Sequence, residues 1–385
     1  MLLFLAFPLA SGCPNGMDLT AGADVLDTLD GSATEATEVA DPTDTDGDPA
    51  RTPPVDILVL VDTSGSMSQE QVALTLRLPA LLDELTHPTD ADGDGRSDHP
   101  RIADLRLGVV TQDLGSGGFS VSTCEDDPFA GDDGCLRHEP SPAVLDCDSS
   151  YPAWLSYWAE EDPPYSATEL GHDFTCVATS GGGMPGESGC GIEQPLEALR
   201  RALIVQSVPG GCNEGFLRPD SLLVLIVLTD EDDMSIDPDH FDMLDPDRTD
   251  LGHLNIRTFR HPEMLTPVDE FFAAFRELRP AGSDRLVLGV IAGVPWGNPA
   301  CQGSGDELEG CLGVPEMQER IDVADPTTLV PSCNTGMGVA MPPVRLVRLA
   351  RQLGGSAWVG SVCETDYGPA IRGITAKIVE RLEPP

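Results

Sequence analysis

Lysine is nearly absent from this sequence: Lys377 is the only one in 385 residues. With arginine included, the basic residues number 22 against 65 acidic ones, for a formal net charge of −43. A chain this acidic offers no footprint for a phosphate backbone, which argues against nucleic acid as a partner. Most of the acidity reads as solvation. Zinc signatures are missing too. The 11 cysteines include no C-x-x-C pair, and no histidine falls at finger spacing. The histidines (His87, His99, His138, His172, His240, His253, His261) form no H-E-x-x-H motif, and Ser64 sits in T-S-G-S rather than G-x-S-x-G. The usual zinc-protease and serine-hydrolase arrangements are thereby excluded, and the chain is expected not to be an enzyme.

The most informative stretch is V-D-I-L-V-L-V-D-T-S-G-S-M, Val55 to Met67. Ile57 to Val61 is a short continuous apolar run, as a strand buried on both faces of a parallel sheet requires. It ends in Asp62, Ser64 and Ser66. One carboxylate and two hydroxyls at alternate positions can converge on a hard cation at the carboxyl end of the strand. Without a cation, the same residues are a polar turn that caps the next helix. They resemble the D-x-S-x-S signature of the von Willebrand factor A domain family. The resemblance implies a metal-ion-dependent adhesion site holding Mg²⁺ (or Mn²⁺ or Ca²⁺), with one open position taken by an Asp or Glu carboxylate of a protein partner.

Two later stretches extend the resemblance. Leu222 to Leu228 is the most apolar run of the chain and is expected to be a central strand; it delivers T-D-E-D-D, Thr229 to Asp233, in which Asp230 matches the family's third-loop aspartate. Glu231, Asp232 and Asp233 are expected to form an exposed rim. The family's second-loop threonine has no counterpart in register; Glu193 is the nearest match, with Gln194 and Ser188 as alternatives. A neutral threonine leaves the cation electrophilic toward a partner's carboxylate, whereas a direct Glu193 would offset that charge internally.

A second oxygen-rich loop stands at Thr89 to Asp98. Asp90, Asp92, Asp94 and Asp98 occupy positions 1, 3, 5 and 9 of an EF-hand-type loop, with Gly95 at the turn position and Arg101 where the bidentate Glu belongs. The stretch resembles calcium loops of dockerin and thrombospondin repeats. It reads either as a weak Ca²⁺ site or as a solvated acidic turn.

The N-terminal residues give an address. Met1 to Cys13 is an apolar run too short to span a bilayer, and A-S-G-C resembles a bacterial lipobox, with Cys13 the lipidated residue. The first basic residue is Arg51, so either the positive segment expected ahead of such a run is missing or the true start lies upstream of Met1. Residues 14–53 are rich in Asp, Glu, Thr, Ala, Gly and Pro and read as a disordered acidic tether. The ten further cysteines suggest up to five disulfides in an oxidising compartment, their connectivity open. The expected location is the bacterial cell envelope, membrane-bound through the lipid anchor.

Residues 54–385 are expected to form one α/β domain with a doubly wound, mostly parallel (Rossmann-like) sheet, carrying disulfide-rich insertions at about 112–188 and 294–342. A helix from Ser68 is expected to bury Val72, Leu76, Leu81, Leu82 and Leu85, with a kink at Pro79. Ser356 to Val359 reads as an edge strand. The first insertion is expected to be stapled by disulfides, with Tyr151, Trp154, Tyr157 and Trp158 forming either its small core or a binding surface. Two other functions stay open beside the adhesion module: a metal-dependent hydrolase using the same acidic cluster, and a calcium-stabilised structural envelope protein.

Overall fold

The computed structural model of the chain describes residues 52–90, 93, 95, 97–124, 131–160, 165–179, 189–280, 283–336 and 338–382. Cys13, the tether up to residue 51, Asp92, Asp94 and Ser188 lie outside the described residues.

The continuous apolar runs become strands buried at every position: β1 (Val55–Val61), β4 (Leu222–Leu228) and β5 (Leu286–Ala292). With β2 (Asp104–Thr111), β3 (Leu155–Trp158), β6 (Gly303–Ser304) and β9 (Ala357–Ser361) they form a sheet in the order β3-β2-β1-β4-β5-β9-β6. The five inner strands are parallel and the two edge strands antiparallel. A separate hairpin joins β7 (Cys333–Thr335) to β8 (Gly338–Ala340).

Side chains alternate along β1, so Ile57, Val59 and Val61 enter one apolar core while Leu58 and Leu60 enter the other. Helices α1 (Ser68–Thr86), α2 (Ala167–Ala178) and α7 (Gly368–Leu382) cover the first face; α3 (Pro195–Arg200), α5 (Val268–Glu277) and α6 (Val344–Leu353) cover the second. A single turn, α4 (Arg257–Arg260), lies between α3 and α5 in sequence. The chain is thus α/β, with a mostly parallel sheet flanked by helices.

All ten cysteines beyond Cys13 are paired, as Cys124–Cys190, Cys135–Cys212, Cys147–Cys176, Cys301–Cys311 and Cys333–Cys363.

Three local expectations are corrected. Val72 and Leu76 are exposed, and α1 instead buries Leu74, Leu78, Leu81, Leu82 and Leu85, a stripe at i, i+4, i+7 spacing. The helix continues through Pro79, whose ring packs on α2 where Gly171 leaves room: a Cβ at Gly171 would stand 2.7 Å from Pro79 Cβ. The first insertion has more than staples, since it supplies β3 to the sheet edge and α2 to the core. Ser166 and Glu169 close a capping box at the start of α2, Tyr151 and Tyr157 are buried, and Trp158 is exposed. Finally, β9 is not an edge strand, because β6 pairs with its outer side.

Candidate metal centre

The sheet register fixes the centre. Val61 of β1 lies opposite Thr111 of β2 and Leu228 of β4, so Asp62, Gln112 and Thr229 leave three adjacent strands at one level. β1 is also where the strand order changes direction, and the crevice beyond the carboxyl ends at such a point is the usual ligand position in open α/β sheets.

The loop after β1 folds on its own side chains. Asp62 Oδ1 accepts from Ser64 N at 2.8 Å, and Asp62 Oδ2 accepts from Thr229 Oγ1 at 2.7 Å. Gln71 Nε2 donates to Asp62 O at 2.7 Å and Gln112 Oε1 accepts from Thr63 N at 2.9 Å. Ser64 Oγ and Ser66 Oγ stand 3.1 Å apart, each in reach of a common ligand.

Glu193 arrives on a second loop pinned against the first. Gly189 N donates to Thr63 O at 3.0 Å, Cys190 N to Asp113 Oδ2 at 2.8 Å, and Gly191 N to Thr123 O at 3.0 Å; the Cys124–Cys190 disulfide ties the same loop down. Approach is so close that a Cβ at Gly189 would stand 2.1 Å from Thr63 Oγ1. The Glu193 carbonyl accepts from Met234 N at 2.8 Å, joining this loop to the one after β4. That last loop carries Asp230, whose carbonyl accepts from Met341 N at 2.8 Å.

Asp62, Glu70, Glu193 and Asp230 are all buried here, and Glu231 is half-buried. Glu70 Oε2, Glu193 Oε2 and Asp230 Oδ1 have no hydrogen-bond partner. Among the described residues, none of these five carboxylates has an ion-pair partner, and Arg345 is committed to Asp233 at 2.9 Å. Burial, then the charge of Asp62, pushes the Asp230 carboxyl up to about 8, with the nearby Ser66 hydroxyl working the other way. The same two causes push Glu231 to about 7. Glu193 is held well above the carboxylate range by burial and then by Glu231 and Asp62; burial also raises Asp62 and Glu70. Unpartnered buried oxygens are rare because each costs its full desolvation. This donor set, carboxylates and hydroxyls with no thiol or imidazole, fits a hard divalent cation.

The rim expectation is corrected. Asp233 is 1% exposed, binding Arg345 and accepting from Leu196 N and Ser235 Oγ, while Asp232 accepts from Arg345 N. Asp233 links α3 to α6, and the half-buried Asp232 holds the first turn of α6. Gln194 is also structural, its Oε1 accepting from Ile236 N at 3.1 Å. Sequence reasoning passed over Glu70 and Thr229. Glu70 lies in the first turn of α1, where an acid ordinarily serves the helix dipole, and Thr229 directly follows β4.

In the other acidic loop, Asp90 is exposed, and its two oxygens accept from Gly93 N at 2.8 Å and Gly95 N at 2.9 Å; Asp98 N donates to Thr89 O at 2.7 Å. Among the described residues, Cys147, His172 and Cys176 bring ligand atoms within 4.8 Å of one another. Their two sulfurs are joined in a disulfide, which removes the thiolates a metal would need. Among the described residues, no three of the acidic groups around Asp62 meet that tightly.

No family model matches the chain, and no curated protein matches it. Among solved structures it is similar to proximal thread matrix protein 1 from the mussel byssus, at 12% identity and a TM-score of 0.27, over 78% of this chain and 48% of that one. It is also similar to the human COPII-coat protein Sec24c, at 10% identity and a TM-score of 0.30, over 86% of this chain and 32% of that one. The chain thus spans about half the length of the first and about a third of the second. Likeness this slight carries no argument.

Proposed function

We propose that this chain is a domain of the von Willebrand factor A type that holds a divalent cation at Asp62, Ser64, Ser66 and Asp230 and uses it to bind an acidic group of a protein partner. The observation that carries this reading is the set of buried carboxylates with unpartnered oxygens and, among the described residues, no ion-pair partner. Glu193 closes the site from the second loop, where the family has a threonine. When bound, the cation supplies an electrophile for a partner's carboxylate; this chain's residues orient it and keep the surrounding loops in place. Binding, not catalysis, is the role assigned.

The doubly wound arrangement agrees with helices on both faces of the sheet and with the change of strand direction at β1. Five disulfides support an oxidising compartment. Lipidation at Cys13 would hold the domain at a bacterial envelope membrane, and loss of the full chain from the membrane fraction on Cys13→Ser tests it. For the cation itself, titration calorimetry of the full chain with Mg²⁺ or Mn²⁺ decides: Asp62→Ala and Asp230→Ala each abolish high-affinity binding. Unchanged affinity in both variants would place the site elsewhere.

A further inference from the structure

One cation does not account for the whole acidic group. An Mg²⁺ ion holds its oxygen ligands at about 2.1 Å, so two ligands of one ion stand no more than roughly 4.2 Å apart. Among the described residues, no three of Asp62, Glu70, Glu193, Asp230 and Glu231 bring one carboxylate oxygen each within even 4.8 Å of the others. A single ion therefore reaches at most two of these carboxylates. With Asp62 and Asp230 on the ion proposed above, Glu70, Glu193 and Glu231 remain.

Glu193 and Glu231 stand together. The bond from Met234 N to Glu193 O ties their loops to each other at 2.8 Å. Glu231 N donates to Thr229 Oγ1 at 3.2 Å, the same hydroxyl that donates to Asp62. The Glu193 side chain is within hydrogen-bonding reach of the Glu231 carboxyl. Glu193 is 2% exposed, yet its Oε2 has no hydrogen-bond partner. The charges that bear on it most, those of Glu231, Asp62 and Asp230, are all negative. Glu70 is placed differently, against Gly338 of the β7–β8 hairpin.

Both Glu193 and Glu231 line a cavity of about 700 Å³ that Ser64, Gly65 and Ser66 also line. Arg345 and Arg348 line it too. Arg345 is bound to Asp233, Arg348 acts on Glu319, and among the described residues neither pairs with Glu193 or Glu231. Two carboxylates at this range need a proton or a cation between them. The cavity favours the cation, because it admits the waters that a Mg²⁺-type ion keeps when one or two carboxylates hold it.

We infer that Glu193 and Glu231 hold a second divalent cation in this cavity, beside the first. The inference rests on the cation reading above and adds to it. Glu193 gives its charge to the second ion, so the first stays electrophilic toward a partner's carboxylate although an acid stands where the family has a threonine. Repulsion from the first ion makes the second the weaker of the two.

The test titrates the full chain with Mn²⁺. Calorimetry should show two binding events, the second weaker, and electron paramagnetic resonance at two equivalents should show two magnetically coupled Mn²⁺ ions. Glu231→Gln, which keeps the size of the side chain, should remove the second event and the coupling. The first event should persist in that variant, which also shows that it is folded. One event in the wild type, two uncoupled ions, or a second event untouched by Glu231→Gln overturns the inference and leaves the first ion standing. Loss of both events from a Glu231→Gln chain with a normal urea midpoint overturns it as well, by making the acids one site. No event at all in the wild type defeats the cation reading itself.

Discussion

The two ends of β1 each bury an aspartate, and they treat it in opposite ways. At the start of the strand, Asp56 is wholly enclosed and satisfied: Arg218 donates from Nε at 2.8 Å and from its backbone N at 2.8 Å, and Ser221 Oγ donates at 2.6 Å. Arg218 also pairs with Asp104. Just past the other end, Asp62 is as deeply buried but, among the described residues, meets the hydroxyls of Thr229 and Ser64 and the Ser64 backbone N–H and no basic side chain, with further carboxylates as neighbours. A buried carboxylate next to arginine belongs to the architecture. A group of them with no basic partner among the described residues is held against its own electrostatics, which the raised Asp230 and Glu231 carboxyls record and which the cation proposed above would relieve.

The sharpest way to break this comparison is to remove the partner at one end and the charge at the other. Arg218→Ala strands Asp56 and should cost about 3 kcal/mol, read from denaturant midpoints. Asp62→Asn, which keeps a similar shape, should leave the cation-free chain as stable as the wild type or more so. A similar loss from both substitutions would mean that both ends are architecture.

The next effect is in pH. The folded-state carboxyl of Asp230 lies at about 8 instead of 3.8, and that of Glu231 at about 7 instead of 4.5. Between the ordinary and the raised value the folded chain keeps protons that the unfolded chain has released. In chelator, stability is therefore fullest below the ordinary carboxylate range and falls as pH rises through about 7 and 8. Urea midpoints at mildly acid and mildly alkaline pH check this, and Asp230→Asn should flatten the slope. A slope unchanged in that variant would assign it to the chain's overall charge.

A smaller effect belongs to Glu193. As a direct ligand its replacement in Glu193→Thr should weaken Mg²⁺ several-fold yet strengthen capture of an acidic peptide, since more positive charge remains on the cation (~1 kcal/mol each way). Calorimetry showing unchanged Mg²⁺ affinity would leave Glu193 a purely structural role.

What the sequence showed follows from how local each signal is. The runs at Val55–Val61, Leu222–Leu228 and Leu286–Ala292 could only be buried strands, and their ends placed Asp62, Ser64, Ser66 and Asp230 on adjacent loops. The face of α1 was not legible, because apolar residues occur in two helical phases there and only packing against α2 and α7 selects Leu74 and Leu78 over Val72 and Leu76. Glu70 joins the site through the same packing. The disulfide pairing and the edge strand β3 depend on contacts between residues 29 or more positions apart in the first insertion and its surroundings, which no local pattern encodes.

The most direct test of the central claim is anomalous diffraction from crystals of the chain soaked in Mn²⁺. The account predicts a strong peak about 2.0–2.4 Å from the hydroxyls of Ser64 and Ser66 and facing Asp62 and Asp230. A map with no peak there, or with Mn²⁺ only at the Asp90–Asp98 loop, would contradict it.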